Sequence, residues 1–292
     1  MKKTKKIIAS RRLLQNPYAY LSGDGGFDVT NSDPQRSESR RLYQNPYAYL
    51  GETDVRGHAR AAISPGGHRR DSDIARQVRA LHLRIWKNRH RIWPEGAPAD
   101  PVAMLDPEVA TRLIGYDYED AEYLGEHKTT GGAAEIAGTI DYPGKRISVS
   151  HRFSPEVRRF TGAHELGHAL LHQGNSLHRD RPVDGSAPRR EPEEVEADTF
   201  ATYFLMPEKL VRTYFAQVFG AMPFELTEHT AFALDPSDHF GLMTRCNTLR
   251  DLSRVLARAT YFNGKHVNSL AARFGVSVET MAIRIEELGL IG

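Results

Sequence analysis

The stretch Ser154-Pro155-Glu156-Val157-Arg158-Arg159-Phe160-Thr161-Gly162-Ala163-His164-Glu165-Leu166-Gly167-His168 reads as one helix from its first residue. Ser154 is the predicted N-cap, Pro155 suits the first turn, and Glu156 complements the positive end of the helix dipole. Residues four apart lie one above the other, so His164 and His168 present two imidazoles to one point, with Glu165 beside them. Neutral imidazoles suit zinc, and a neighbouring carboxylate suits a water that the metal has made acidic. Three protein ligands would leave zinc one open position, with Glu165 as the base in a metal-assisted hydrolysis of an amide. A metzincin would carry glycine three and histidine six residues beyond the second histidine. Leu171 and Gly174 hold those places, which excludes that class. His172 lies eight residues past His164, about 12 Å further along the axis at 1.5 Å per residue, so it is read as a supporting or packing residue, not a ligand.

The third ligand is expected from Glu193-Glu194-Val195-Glu196-Ala197-Asp198, which opens a second helix. Glu194 and Asp198 are four apart and share a face. Glu194 can therefore ligate while Asp198 holds a ligand histidine through its free ring nitrogen. Glu196 is the competing ligand, pointing about 200° away on the helix. Glu193 best fits an acid that complements the helix dipole. Tyr203 and His178 are candidates for stabilising the oxyanion.

The residues Arg159 to His172, with Glu194-Val195-Glu196-Ala197-Asp198-Thr199-Phe200-Ala201 and Leu205-Met206-Pro207, resemble the ImmA/IrrE family of bacterial metallo-endopeptidases. The resemblance is strong over residues 134–210, weak over 74–133 and absent from the tail. It implies a gluzincin-like catalytic domain with one zinc ion per chain, held by His164, His168 and Glu194, with Glu165 as the catalytic residue. It also implies a regulatory role, in which the enzyme cuts a helix-turn-helix repressor and so relieves repression of transcription. Gly162 stands where a larger residue is common in the family, and Asp198 replaces a frequent asparagine; neither change removes a ligand.

Around this site the chain divides by composition. The formal net charge of +2 is unevenly spread. Residues 1–72 hold 13 Lys/Arg against 7 Asp/Glu, leaving 26 against 30 for the rest. That basic segment lacks a sustained helical or strand period and is expected to be a disordered tail. Within it Arg11-Arg12-Leu13-Leu14-Gln15-Asn16-Pro17-Tyr18-Ala19-Tyr20-Leu21 recurs as Arg40-Arg41-Leu42-Tyr43-Gln44-Asn45-Pro46-Tyr47-Ala48-Tyr49-Leu50. Two copies are too few for a solenoid. Asp71-Ser72-Asp73 is a predicted cap for a helix from Ile74 to Arg91, with Ile74, Val78, Leu81, Ile85 and Trp86 on one face. Asp106-Pro107-Glu108 starts another helix. Residues 134–140 and 146–150 read as a hairpin about Asp141-Tyr142-Pro143-Gly144-Lys145.

The expected fold class is therefore α+β, a small antiparallel sheet packed on the metal helix and the second ligand helix. The peptidase domain spans 73–219, followed by a connecting region at 220–247 and a helical segment at 248–292. In that last segment residues 267–274, Gly275-Val276-Ser277 and residues 278–288 have the layout of a helix-turn-helix. Its second helix carries Glu279, Glu286 and Glu287 against Arg284, a net of −2, so direct DNA binding is not expected. The loop from His178 to Gly185 is read as solvated. Cys246 is the single cysteine, so neither an internal disulfide nor a thiolate metal site is available. No apolar run reaches the length of a membrane span, and the chain is expected in the cytoplasm. The rival reading is a non-catalytic regulator that binds DNA or protein, as a toxin- or antitoxin-like partner would, and keeps a structural metal.

Overall fold

The computed structural model of the chain describes residues 71–129, 132–172, 177–179, 192–220 and 222–292, with the backbone alone for 127–129, 132–134 and 177–179. The basic segment with its duplicated stretch lies outside the described residues up to residue 70, as does the loop between the two site motifs from residue 180 to 191. Among the described residues the fold is mixed α+β, with eleven α-helices and small sheets. Residues 83–104 belong to one compact unit, and 71–82 with 105–292 to another.

Helix α1 (Asp71–Lys87) contributes to both units. Its predicted stripe is buried at every position: Ile74, Val78, Leu81, Ile85 and Trp86. Two details differ from expectation. Asp71 and Asp73 sit inside the first turn, and the helix breaks at Asn88 before the short α2 (Arg89–Ile92). The Asn88 side-chain amide donates to Arg84 O at 2.8 Å, the local competition with the backbone that makes asparagine a poor mid-helix residue. In the same unit the Arg89 guanidinium lies 4.0 Å from the centre of the Trp86 ring.

In the second unit α3 (Pro107–Ile114) starts as predicted, with Asp106 accepting from Glu108 N at 2.8 Å. Strands β1 (Asp117–Ala121), β4 (Gly138–Asp141), β5 (Arg146–Ser150) and β6 (Leu177–Arg179) form one sheet in the order β1-β5-β4-β6, while β2 (Glu126–Thr129) and β3 (Gly132–Glu135) pair separately. The β4–β5 hairpin has the predicted turn, with Asp141 opposite Arg146 and Gly144 N donating to Asp141 Oδ1 at 3.0 Å. The sheet is nevertheless not wholly antiparallel, because β1 runs parallel to β5 from Asp117↔Arg146 to Ala121↔Ser150. A long excursion through β2, β3 and β4 separates the two strands, so no tight turn forces them to run in opposite directions. The predicted strand 134–140 also splits between β3 and β4, and its two halves pair in different sheets.

Helix α4 (Pro155–Leu171) lies on β4 and β5 and beside α5 (Pro192–Leu205). Ser154 occupies the N-cap position without its side chain capping a helix N–H. Two glycines of α4 are there for space. A Cβ at Gly162 would come 2.6 Å from the Tyr118 hydroxyl and 3.3 Å from Pro107, which accounts for the small residue at this position. The other, Gly167, meets α5. Phe200 and Phe204 of α5 stack with ring centres 6.1 Å apart, and both are buried.

Beyond α6 (Glu208–Phe219), the expected connecting region holds α7 (Glu228–Leu234) and α8 (His239–Arg245). The C-terminal segment is not all helical: α9 (Leu249–Arg258) is followed by a β7–β8 hairpin (Tyr261–Phe262 and Lys265–His266) before α10 (Leu270–Phe274) and α11 (Val278–Glu287). Gly275 takes a left-handed φ of 61° between the last two helices, as their spacing suggests. Buried Arg284 of α11 donates to Met206 O at 3.2 Å and pairs with Glu287 at 3.1 Å. Phe224 N donates to Leu290 O at 2.7 Å. These bonds tie the C-terminal helix to the end of α5 and to the segment after α6. No helix among the described residues is long and apolar enough to cross a membrane.

His82 of α1 is buried and donates through Nε2 to Phe204 O, 3.1 Å away, closing a carbonyl at the C-terminal end of α5. Burial lowers its pKa from 6.5 to about 4, with the bond to Phe204 O opposing that shift. Below pH 6.5 the unfolded chain takes up a proton that the folded chain refuses. Stability is therefore complete above that pH and declines as the pH falls toward 4, by roughly 3 kcal/mol in all. Urea denaturation at pH 7 and pH 4.5 is expected to show this loss in the wild type and a smaller one in His82→Gln.

Candidate metal centre

Helix α4 carries His164 and His168 one turn apart, and α5 carries Glu194 in its first turn. The helices approach each other where α4 has no side chain. A Cβ on Gly167 would stand 3.1 Å from Phe200 Cβ and 3.2 Å from both Cα and O of Ala197. This contact brings the start of α5 against the histidine face of α4. His164 Nε2 and His168 Nε2 lie 3.0 Å apart, and the Glu194 carboxylate oxygens lie 3.4 and 3.6 Å from them. Among the described residues these three form the one group of His, Cys, Asp or Glu side chains that could hold a metal ion.

The spacing has a chemical meaning. Zinc bonds of about 2.0–2.1 Å at tetrahedral angles put donor atoms about 3.3 Å apart, and the three observed separations bracket that value. The donor set, two imidazoles and a carboxylate, also suits zinc. Asp198, one turn beyond Glu194, accepts a hydrogen bond from His164 Nδ1 at 2.9 Å. A carboxylate can only accept here, so His164 carries its proton on Nδ1 and turns a bare Nε2 toward Glu194 and His168. Glu196 does not point to the cluster. Its carboxylate lies 3.1 Å from His172 Nε2, while His172 Nδ1 lies 2.9 Å from His168 Nδ1.

Glu165 is fully buried. Strand β4 reaches it through Gly138, where a Cβ would lie 2.9 Å from Glu165 Oε1 and would collide with the Thr161 methyl. The base candidate is thus set between the sheet and the metal helix, and only glycine fits opposite it.

Of the two residues suggested for the oxyanion, Tyr203 lies elsewhere, with its ring centre 5.0 Å from the Arg284 guanidinium. His178 is placed only by its backbone, opposite Ile140. Tyr142, which no motif in the sequence singles out, follows β4 in the hairpin turn and is partly buried. Burial first, then the negative fields of Glu165, Glu193 and Glu194, hold its phenol well above its ordinary pKa. Its hydroxyl keeps its proton and stands within electrostatic reach of Glu165 and Glu194. The available signal was positional: a tyrosine in the hairpin directly before the metal helix.

Residues 123–219 match the family Peptidase_M78, described as the IrrE N-terminal-like domain. No curated protein matches the chain. The match bears out the resemblance to the ImmA/IrrE family over that segment, which contains the whole cluster and Glu165, and points to a metallopeptidase-family function.

Filling the space at Gly167 tests how α4 and α5 are held. Gly167→Ala requires α4 and α5 to part by a few tenths of an ångström and is expected to cost about 1–3 kcal/mol, read as a lowered urea midpoint.

Proposed function

We propose that this chain is a zinc-dependent endopeptidase of gluzincin-like design, which cleaves a helix-turn-helix transcriptional repressor in the cytoplasm. One observation carries the reading. His164 Nε2, His168 Nε2 and the Glu194 carboxylate converge at tetrahedral spacing beside buried Glu165. Zinc held by these three residues would supply a Lewis acid that polarises the scissile carbonyl and activates water. Glu165 takes the proton of the attacking water and returns it to the departing amide nitrogen. Tyr142, kept protonated, donates a hydrogen bond to the oxygen on which negative charge develops. Asp198 holds His164 in its ligating tautomer.

A regulator with only a structural metal would call for a closed, four-ligand site, whereas three ligands converge among the described residues. The choice of substrate rests on the family resemblance. The last helix pair supports a protein-directed role over a DNA-directed one. In α11 Glu279 is held by Arg250 and Arg254, and Glu286 by Arg250, all at 2.6–2.7 Å. The same pairs occupy Arg250 and Arg254, two of the three arginines of α9, which are then less available to phosphates.

Zinc content, and cleavage of any helix-turn-helix protein encoded beside this gene, test the reading. Glu165→Gln is expected to retain zinc and lose at least about 100-fold in cleavage. Glu194→Ala is expected to lose stoichiometric zinc. Full cleavage by Glu165→Gln would sink the mechanism, and full zinc in Glu194→Ala would reassign the ligand. Tyr142→Phe is expected to lower kcat on the order of 100-fold with zinc content unchanged, as measured by steady-state cleavage and metal analysis.

A further inference from the structure

His172 has no part in the reaction just described, yet its ring closes a buried chain. His168 Nδ1 and His172 Nδ1 are 2.9 Å apart, and His172 Nε2 and Glu196 Oε2 are 3.1 Å apart. The His172 and Glu196 side chains are only 8% and 10% exposed. Each hydrogen bond needs a donor and an acceptor, and a neutral imidazole offers one of each. The Glu196 carboxylate accepts, so His172 carries its proton on Nε2 and its Nδ1 is bare. His172 Nδ1 then accepts in turn, which puts the proton of His168 on Nδ1 and leaves His168 Nε2 as a lone pair.

The other arm reaches the same state in a single step, because Asp198 accepts directly from His164 Nδ1. Two lone pairs therefore face each other across 3.0 Å, beside the carboxylate of Glu194. In this arrangement each of the three groups offers an acceptor, and a cation satisfies all of them. Reversing the chain would set a lone pair of His172 against a carboxylate oxygen and put a proton on His168 Nε2, in the place of the ion.

We propose that His172 and Glu196 are positioning residues that lock His168 in its Nδ1-protonated tautomer and so complete the metal site, as Asp198 does for His164. The proposal rests on the zinc reading above and deepens it. It also gives Glu196 a role that its competing assignment as a ligand would not.

The test uses the full chain and zinc affinity, measured by competition with a chromophoric chelator, together with the visible spectrum of the cobalt-loaded protein and the thermal midpoint of the metal-free protein. His172→Phe keeps a ring of similar size without its nitrogens. It is expected to bind zinc about 10–100-fold more weakly and to change the cobalt spectrum. His172→Gln can accept from His168 through its carbonyl and donate to Glu196 through its amide, and is expected to recover most of the affinity. Packing alone would move the thermal midpoint of His172→Phe and leave zinc affinity and the cobalt spectrum unchanged.

Wild-type affinity in His172→Phe would overturn the proposal, as would His172→Gln binding as weakly as His172→Phe. Should His172→Phe fail to fold, Glu196→Leu removes the acceptor that orients the chain. Weakened zinc binding there supports the proposal, and wild-type affinity overturns it. A wild-type chain that takes up no zinc would overturn the zinc reading and the relay together, whereas tight zinc in every variant would overturn the relay alone.

Discussion

The approach of α4 to α5 at Gly167 is the constraint on which the site depends. Glu194 stands at the start of α5, and its distance from the histidines is set by how closely the two helices pack. A side chain at position 167 would meet Ala197 and Phe200, which lie on the same helix as Glu194 and one to two turns along it. The stacked, buried rings of Phe200 and Phe204 hold that helix from the core side. Helix packing and ligand geometry are therefore one problem, solved in part by a residue with no side chain.

A second close approach sets Glu165. Glu165 points from α4 toward β4, where Gly138 leaves room for its carboxylate. Strand β4 continues into the hairpin that carries Tyr142, so one strand both walls in Glu165 and leads to a tyrosine that feels its charge. The mixed topology supports this. With β5 and β6 pairing on its two sides, β4 is an interior strand and cannot drift from the helix above it.

What could be read from the sequence was what local periodicity encodes. The spacing of His164 and His168, and of Glu194 and Asp198, is a property of a single helical turn, and both pairs lie where that rule places them. The β4–β5 turn was legible for the same reason. The parallel pairing of β1 with β5 was not, because strand direction across a long connection depends on packing that no short window contains. His172 lies where its reading as a supporting residue puts it, although the partner was not legible from one spacing. Its distance from His164 spoke against ligation, while its spacing of four from His168 placed it against that ring. The acids of α11 were read as net charge, but their partners Arg250 and Arg254 lie on α9, far enough back in the chain that a sum over one helix misses them.

Two histidines on one helical face do not by themselves make a metal site, since such a pair can equally share a proton. The difference lies in hydrogen-bond polarity. Asp198 on one side and Glu196 on the other are acceptors, and each forces the ring chain next to it to point its protons outward. The point of convergence is left with lone pairs and a carboxylate, a local shortage of positive charge inside a buried region. Asp198 acts across a single bond and Glu196 through an intervening ring, yet both start from α5, the helix that supplies Glu194. One short acidic run, Glu194-Val195-Glu196-Ala197-Asp198, thus provides the carboxylate of the candidate metal group and the terminal acceptor for each of the two histidines. Their positions relative to α4 follow from the same helix contact at Gly167.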